Sequence, residues 1–562
     1  MDKHKQINNF LGARLVADGI ISQGQLDDAL SAQNMEKGKR GLLGKTLVRL
    51  GYCTEDDIAR AIARRAGIPF ISLETYTVDA AAVATIPIEV AKRYHALPIA
   101  FEGNRLVVVM QQPYDIMALD DLRILTGYDI KPVIAPDSEL DAAMEKYSRA
   151  GLGFEHEVDD EAPVEDAGVE MDESGERPAV QLANMIIAQA VGAKASDVHI
   201  ESYEKYLRVR FRIDGVLHDT MQPPRRMHAS LVSRLKVMAN MDIAERRIPQ
   251  DGRMSLRLEG RNIDIRVASL PGSYGERVTM RLLDRSGSII TLEQLGIDPA
   301  ILSRYKESIK LPYGFVLVTG PTGSGKSTTL YASLAAVDKV AKNVITVEDP
   351  VEYRMEGINQ IQINPKAGLT FASGLRSILR SDPDIIMVGE IRDKETARIA
   401  VESALTGHLV LSTLHTNDAA GAVSRLTEME IEPFLTASSL ACVMAQRLVR
   451  KLCSNCKASY VMTRQELEAV PGFPLQEGED KIILYRPSGC MRCSNTGYRG
   501  RLGVYELLNV SEKIQRLTLE RKSAREIKDT AVAEGMVTLR RDGLLKVRQG
   551  ITSLEEIMRV VL

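Results

Sequence analysis

The sequence predicts a multidomain α/β protein, and three observations support that prediction. The chain has 562 residues, more than one hydrophobic core usually organises, so we expect about three or four domains. Its composition, 44% hydrophobic, 26% charged and 5% aromatic with no Trp, is typical of a soluble, helix-rich globular chain. After residue 286, short apolar runs that suit buried strands alternate with helical segments, which indicates a mostly parallel sheet.

The first predicted domain covers residues 1–150 and opens with an internal repeat. LGARLVADGIISQGQLDDAL, residues 11–30, and LGKTLVRLGYCTEDDIARAI, residues 43–62, share their apolar residues and glycines in register. Each copy predicts two short helices, with Ser22 or Thr54 capping the second one. Between residues 70 and 150, strand-like runs such as RLVVVM alternate with helical runs such as DIMALDDLRILTG, so a small α/β module completes the domain.

An acidic segment, residues 151–178, separates this domain from the rest of the chain. It is rich in Gly and Pro and poor in large apolar residues, which predicts a flexible solvated linker, with an acidic partner-binding tail as the alternative. Residues 179–285 form the predicted middle α/β domain, where a helix leads into strands such as YLRVRFRIDGVLHD and RNIDIRVASLPGSYGERVTMRLLD. Residues 286–562 form the last predicted domain.

A phosphate-binding loop follows the first strand run of the last domain. GPTGSGKST matches G-x-x-x-x-G-K-[ST] and lies between the strand GFVLVTG and the apolar helix TTLYASLAAV. Its glycines let backbone N–H groups turn toward phosphates, Lys326 would reach the β/γ oxygens, and Ser327 would ligate Mg²⁺. The loop therefore predicts a nucleoside triphosphate site. The predicted nucleotide-binding residues are Gly320, Pro321, Thr322, Gly323, Ser324, Gly325, Lys326, Ser327 and Thr328.

Carboxylates end two further strand runs of the same predicted sheet. VEDPVEY carries Glu348, Asp349 and Glu352, and DPDIIMVGEIRD carries Glu390. Because the carboxyl ends of parallel strands face one crevice, we expect these acids beside the phosphate loop. One would orient the attacking water as general base and another would hold Mg²⁺, and the sequence alone does not assign the two roles.

Two histidines flank the strand run GHLVLSTLHTND. Their spacing of seven residues places His408 and His415 on opposite faces of the strand. His415, in the following loop, is predicted to sense the γ-phosphate, and His408 to orient its neighbours at a domain interface. Core packing is the alternative for His408, and a metal site is the less favoured interpretation of the pair.

Four of the six cysteines form two C-x-x-C knuckles within residues 450–500. Cys453 and Cys456 stand in CSNC, and Cys490 and Cys493 stand in CMRC. Two such knuckles in one domain are typical of a structural Zn²⁺ held by four thiolates. Because disulfides are rare in a reducing cytosol and a redox C-x-x-C usually occurs once, we predict a zinc site.

Charge and hydropathy restrict the partners and the location. With 72 Lys and Arg against 75 Asp and Glu, the formal net charge is −3, so no global basic field recruits nucleic acid. No uninterrupted apolar stretch approaches the roughly 18 residues of a membrane span. We therefore expect a cytoplasmic protein that does not insert directly into a membrane.

Four motifs of the last domain resemble those of the secretion ATPases that drive type II secretion and type IV pilus assembly. The Walker A motif is GPTGSGKST, the Asp box is VEDPVEY, the Walker B motif is DIIMVGEIRD and the His box is GHLVLSTLHTND. The resemblance extends through RRIPQDGR, GERVTMRLLD and the cysteines, and so covers most of the chain. It implies a homo-hexameric RecA-like motor with a PAS-like middle domain that closes on ATP, Glu352 as catalytic base and Glu390 as the Mg²⁺-side acid. It also implies a peripheral position at the cytoplasmic face of the inner membrane, with a platform protein as partner.

The same resemblance assigns a role to two arginines of the middle domain. Arg266 in DIRVA and Arg281 in MRLLD match positions that reach the nucleotide phosphates as arginine fingers. The alternative for both is a structural salt bridge.

The repeat at residues 11–65 resembles the cyclic-di-GMP-binding module of some of these ATPases. Phe10 and Leu42 stand where that module has its leading arginines, and Arg65 stands where the second copy should end in Gln, whereas Gln33 closes the first copy. Loss of those guanidiniums would remove stacking and phosphate contacts. Cyclic-di-GMP binding and a docking role therefore both stay open.

Together these observations favour a Mg²⁺-dependent ATPase that converts hydrolysis into domain rotation for pilin extrusion. Type II secretion is the near alternative. A nucleotide-gated scaffold that reads cyclic-di-GMP is another, although Glu352, Glu390 and the two arginines argue against it. A nucleic-acid translocase finds no support in an acidic chain without an obvious basic groove.

Overall fold

The computed structural model describes residues 11–35, 43–76, 78–83, 85–86, 88–102, 105–152, 155–156, 176–258, 260–284, 290–493 and 495–561. Its contacts divide the chain into two compact units, Met1–Ser286 and Gly287–Leu562. Both units combine helices with sheets, so the chain has the multidomain α/β fold that was predicted. Most of the predicted linker at 151–178 lies outside the described residues, as do Phe10 and Leu42.

The repeat at the start of the first unit folds as two pairs of helices, as predicted. Residues 11–17 are helical and precede α1, Gln23–Met35, while α2, Leu43–Arg49, precedes α3, Glu55–Ala66. The four helical segments share one small apolar core. Both predicted caps are present, at Ser22 and Thr54.

The glycine that opens each copy of the repeat has the same structural use in both. A Cβ atom at Gly12 would lie 2.4 Å from Leu26 Cδ1, and one at Gly44 would lie 3.1 Å from Ile58 Cγ2. Each glycine thus lets the first helix of its pair approach the second one closely.

A three-stranded sheet with four helices completes the first part of this unit. β2 lies in the centre, antiparallel to β1 and parallel to β3. The strands are β1 Ala96–Glu102, β2 Arg105–Met110 and β3 Asp129–Val133, and the helices are α4 Ala80–Val83, α5 Ile88–Tyr94, α6 Ile116–Thr126 and α7 Asp137–Leu152.

The rest of the first unit is an antiparallel sheet of seven strands in the order β4-β8-β9-β10-β5-β6-β7. Apolar residues from two helices, α8 Glu176–Gly192 and α9 His228–Met238, join those of the sheet in one core. This sheet and its helices occupy the predicted middle domain, residues 179–285, but they also include β4 and the start of α8, which fall within the predicted linker at 151–178. The strands are β4 Glu155–His156, β5 Asp197–Ser202, β6 Leu207–Ile213, β7 Val216–Met221, β8 Gln250–Leu258, β9 Arg261–Leu270 and β10 Arg277–Asp284.

The second unit is built on a seven-stranded sheet in the order β13-β12-β14-β15-β11-β16-β19. Every neighbouring pair is parallel except β16 and β19, which confirms the predicted, mostly parallel sheet. Apolar clusters cover both faces, so the central strands are buried. The strands are β11 Gly314–Thr319, β12 Val344–Glu348, β13 Asn359–Gln362, β14 Ile385–Val388, β15 Leu409–Leu414, β16 Leu440–Leu452 and β19 Tyr498–Asn509.

A two-stranded ribbon, β17 Ala458–Thr463 and β18 Lys481–Arg486, is inserted between β16 and β19. Within the ranges given above, no helix combines the length and apolarity needed to cross a bilayer. The helices of the second unit are α10 Pro299–Ser308, α11 Lys326–Ala335, α12 Phe371–Ile378, α13 Lys394–Leu405, α14 Ala419–Glu428, α15 Pro433–Ser439, α16 Arg464–Glu468, α17 Glu512–Leu519, α18 Ala524–Ala533, α19 Leu539–Arg548 and α20 Leu554–Val560. Short 3-10 turns lie at Arg225–Met227, Leu292–Leu295, Pro365–Ala367 and Met491–Cys493.

Candidate active site

The predicted phosphate loop connects the buried central strand β11 to the N-terminus of α11. Gly325, with φ of 89°, turns the chain into the helix at a position where a side chain would be strained. The first N–H groups of α11 have no partner within the helix and carry the positive end of its dipole. The loop and helix therefore form an anion site that is suited to phosphates.

Lys326 is nearly buried and is bonded to its own loop. Its Nζ atom donates hydrogen bonds to Gly320 O at 2.9 Å and to Pro321 O at 3.1 Å. Burial lowers the pKa of Lys326 to about 8, although the carboxylate of Glu390 opposes that shift. The ammonium is therefore held at the loop by these two carbonyls, and a bound phosphate would compete with them for it.

The acids predicted at the strand ends lie in one cleft of about 370 Å³ with this loop. Residues 322–328 form one wall, Leu330 and Tyr331 of α11 and Phe371 of α12 also line the cleft, and the ends of β12, β14 and β15 with the residues that follow them complete it. Parallel strand order brings them together, because all these strands end at the same edge of the sheet. The functional side chains that line the cleft are Lys326, Ser327, Thr328, Glu348, Asp349, Glu352, Glu390, Arg392 and His415.

Glu390 has a basic side chain beside each of its two oxygens. The Arg392 guanidinium contacts Oε1, and His415 Nε2 lies 3.6 Å from Oε2. Glu390 is mostly buried while His415 is half exposed, so the imidazole is open to the cleft and backed by a carboxylate. This contact agrees with the prediction that His415 belongs to the nucleotide site, and its role in sensing phosphate stays a prediction.

His408 lies at the other end of β15. Its backbone carbonyl accepts the N–H of Gly314 at the start of β11, and its Nδ1 is 3.0 Å from Ser403 O. The six residues of β15 separate it from His415, which is about 20 Å of extended chain. The two histidines thus lie at opposite ends of the strand, and the structure does not bring His408 to the cleft.

Two residues that the sequence did not single out join the phosphate loop and its helix to other segments of the unit. Gln446, buried in β16, donates from Nε2 to Ser324 O at 2.7 Å and accepts at Oε1 from Thr329 Oγ1 at 2.8 Å. Tyr331, on α11, donates to Glu348 Oε2 and accepts the backbone N–H of Glu352 at 3.1 Å. Both act through contacts that are distant in sequence, so no local pattern marks them.

Arg266 and Arg281 lie side by side in the first unit. They face each other in the register of β9 and β10, with Arg253 of β8 beside Arg266 and Asp197 of β5 beside Arg281. Directly paired residues share one face of a sheet, so three guanidiniums form a row on this face. The side chain of Arg281 is 58% exposed, and its Nε atom lies 3.1 Å from Asp197 Oδ1. An ion pair and an exposed guanidinium are therefore both present at Arg281.

The four predicted metal-binding cysteines meet on the two segments that connect β16 and β19 to the inserted ribbon. All four Sγ atoms lie within 4.8 Å of one another. The Cys453–Cys490 and Cys456–Cys493 pairs are 3.9 and 3.7 Å apart. Thiolates at about 2.3 Å from a tetrahedral Zn²⁺ would be about 3.8 Å apart, so the donor set and its spacing fit that ion. Backbone N–H groups of Gly489 and Gly497 point at the sulfurs, as is expected around thiolates.

The fold and the cleft define an ATPase of the P-loop class. The family described as type II/IV secretion system protein matches residues 172–559, and the MshEN domain matches residues 66–153. The chain therefore belongs to the type II/IV secretion system protein family, as the sequence motifs predicted.

Similar proteins come from both branches of that family. The type IV pilus assembly ATPase PilB of Myxococcus xanthus is 44% identical over 561 residues, which cover 98% of each chain. The type II secretion system protein E of Xanthomonas campestris pv. campestris is 41% identical over 97% of this chain and 98% of that protein. The type II secretion system ATPase E of Vibrio cholerae is 50% identical over 69% of this chain and 76% of that protein.

Proposed function

We propose that this protein is the Mg²⁺-dependent ATPase that powers type IV pilus assembly, acting as a homo-hexamer. The observation that supports the ATPase proposal is the cleft that brings together the phosphate loop, four strand-end acids and His415. The pilus assignment rests on the 44% identity, over nearly the whole of both chains, to a type IV pilus assembly ATPase.

Within the cleft, each group has a proposed part in hydrolysis. Residues 320–328 hold the phosphates through backbone N–H groups and the ammonium of Lys326. Ser327 and Glu390 would hold Mg²⁺, which supplies neutralising charge to the β- and γ-phosphate oxygens. Glu352 is the proposed base for the attacking water, as the resemblance to the secretion ATPases implies, and it lines the same cleft as the phosphate loop.

A turnover assay on the purified full chain tests this proposal. ATP hydrolysis should require Mg²⁺, so that EDTA abolishes phosphate release and excess Mg²⁺ restores it, because the ion balances charge that the protein cannot balance alone. Turnover that is equal with and without a divalent ion would contradict the proposed role of Ser327 and Glu390. Absence of turnover even with the platform protein would favour the nucleotide-gated scaffold.

Type II secretion remains the second candidate, because the Xanthomonas relative also matches nearly the full chain. The proposed site of action in both cases is the cytoplasmic face of the inner membrane, with a platform protein as partner. Deleting the gene and restoring it on a plasmid separates the two functions. Loss of surface pili with normal exoprotein secretion would support pilus assembly, and the reverse result would support secretion.

For the N-terminal repeat, cyclic-di-GMP binding and docking are both proposed roles. Arg65 stands at the position where the module would have a glutamine. Its guanidinium lies over the ring of Tyr114, at 5.8 Å from the ring centroid. Calorimetric titration of the full chain with cyclic-di-GMP distinguishes the two roles.

We further propose that Cys453, Cys456, Cys490 and Cys493 hold a structural zinc ion. The first knuckle follows β16 and the second precedes β19, and these two strands pair with each other. The ribbon of β17 and β18 is inserted in the chain between the two knuckles. A tetrahedral ion there would join both strand ends to the ribbon and restrain it.

Replacing Cys490 by Ser should lower the zinc content from about one ion per chain to near zero, because four thiolates are needed to close a structural site. The ribbon should then become sensitive to proteolysis, and the melting temperature should fall. Metal analysis, limited proteolysis and thermal melting measure these effects. Cys53→Ser, at a cysteine outside the cluster, is the matched control and should keep its zinc. Wild-type protein that is purified without chelators and holds no zinc would contradict the proposal.

A further inference from the structure

One buried hydroxyl links the phosphate-loop helix to the segment that carries Glu352. Tyr331 lies five residues after Lys326 on α11 and is 3% exposed. Its hydroxyl donates to Glu348 Oε2 and accepts the backbone N–H of Glu352 at 3.1 Å, with the N–H of Tyr353 farther away at 3.5 Å. The tyrosine therefore connects the two walls of the cleft.

Glu348 provides a fixed end for this connection. It is buried at the end of β12, and its Oε1 accepts hydrogen bonds from Thr346 Oγ1 at 2.5 Å and from Gln360 Nε2 at 3.1 Å. With Tyr331 on Oε2, both oxygens of the carboxylate are engaged by neutral donors. Such a carboxylate is held in one orientation, and it orients the tyrosine in turn.

The donor direction of the hydroxyl follows from these contacts. Burial, and after it the Glu348 carboxylate, raises the pKa of Tyr331, so the phenol stays protonated. Because its single proton is committed to Glu348, the oxygen presents lone pairs to the N–H of Glu352. A phenylalanine in the same place would fill the space but could not hold that N–H.

We infer that Tyr331 is a positioning residue, which holds the backbone at Glu352 so that the Glu352 carboxylate meets the attacking water in a productive geometry. This inference rests on the proposed role of Glu352 as base. Displacement of a reacting group by about 1 Å can lower a rate by about 10²-fold, so one backbone hydrogen bond is enough to matter. Nucleotide affinity depends on the phosphate loop, which Tyr331 does not contact through its hydroxyl.

Tyr331→Phe is expected to lower kcat by about 10- to 100-fold and to change the nucleotide Kd by less than about 2-fold, since the loop stays intact. Tyr305→Phe is the matched control. Its hydroxyl is also buried and bonds to the same helix, at Ser333 Oγ and 2.8 Å, but it has no contact with the Glu348 segment. Both variants should lose stability, and only Tyr331→Phe should lose kcat.

A double mutant tests whether the effect passes through Glu352. In a Glu352→Gln background, adding Tyr331→Phe should reduce the residual turnover little further, because the group being positioned is already gone. A folded Tyr331→Phe variant with normal kcat, or an equal loss of kcat in both backgrounds, would overturn the inference. Normal turnover of Glu352→Gln itself would instead overturn the proposed base.

Thr346→Val supplies the same test if Tyr331→Phe does not fold. It removes one donor to Glu348 and keeps nearly the same side-chain volume in a buried site. The loosened carboxylate should lower kcat and leave nucleotide affinity unchanged. Unchanged kcat in this folded variant would also overturn the inference.

Discussion

Replacing Glu352 by Gln should lower kcat for ATP hydrolysis by about 10²- to 10⁴-fold, because an amide cannot take the proton of the attacking water. Nucleotide binding should persist, since the phosphates are held by the loop and Lys326 on the other wall of the cleft. Steady-state turnover and the Kd of a fluorescent ATP analogue, both measured on folded protein, give the two quantities.

Two further variants serve as controls for Glu352→Gln, one that should lose nucleotide binding and one that should be unaffected. Lys326→Ala should lose nucleotide binding and with it all turnover. Glu356→Gln, at an exposed acid four residues from Glu352 and outside the residues that line the cleft, should behave as wild type. If Glu352→Gln hydrolyses ATP normally and Glu390→Gln does not, the roles of base and metal-side acid are exchanged.

Replacing Arg281 by Ala should lower kcat by up to the order of 10³-fold, with little change in nucleotide affinity, if the guanidinium stabilises charge on the γ-phosphoryl oxygens in the transition state. Arg266→Ala should behave similarly, since the two residues are paired in register on one face of the sheet. A loss of kcat with unchanged Kd is the pattern of a contact made only in the transition state.

The salt-bridge interpretation predicts a different set of measurements. If Arg281 serves only to pair with Asp197, the Ala variant should melt earlier and keep its kcat per folded molecule. Arg208→Ala is the matched control, because Arg208, on β6 of the same sheet, pairs with Asp219 of β7 through two hydrogen bonds. It should leave kcat unchanged. Normal turnover in a stable Arg281→Ala variant would end the arginine-finger prediction.

The sequence predicted those features whose signal is local. The phosphate loop, the strand-end acids and the cysteine knuckles each occupy a few consecutive residues, and parallel strand order then brings the strand ends together. Capping of α3 by Thr54 is likewise a contact within one turn. The repeat helices, the strand runs of the middle domain and four strands of the last sheet were predicted for the same reason, whereas the antiparallel order of the middle sheet was not predicted.

Contacts between distant segments were not predictable from local patterns. Tyr331 lies in the apolar run TTLYASLAAV, where an aromatic residue is expected to be core. Gln446 reaches back more than a hundred residues to the phosphate loop. Strand alternation predicted only that His408 and His415 lie on opposite faces of β15. In the structure they are separated because they lie at opposite ends of that strand, and His408 is beside Ser403. Each of these contacts depends on how distant segments of the chain pack together, which no local pattern indicates.

The hydrogen bonds of Lys326 to Gly320 O and Pro321 O have a consequence for product release. A buried ammonium that lost its last phosphate without a substitute would carry a desolvation penalty of several kcal/mol, and that penalty would slow ADP departure. Here Gly320 O and Pro321 O lie within hydrogen-bonding distance of the ammonium, so they can replace a departing phosphate and lower that penalty. Release of ADP should therefore be faster than burial of the ammonium alone would allow.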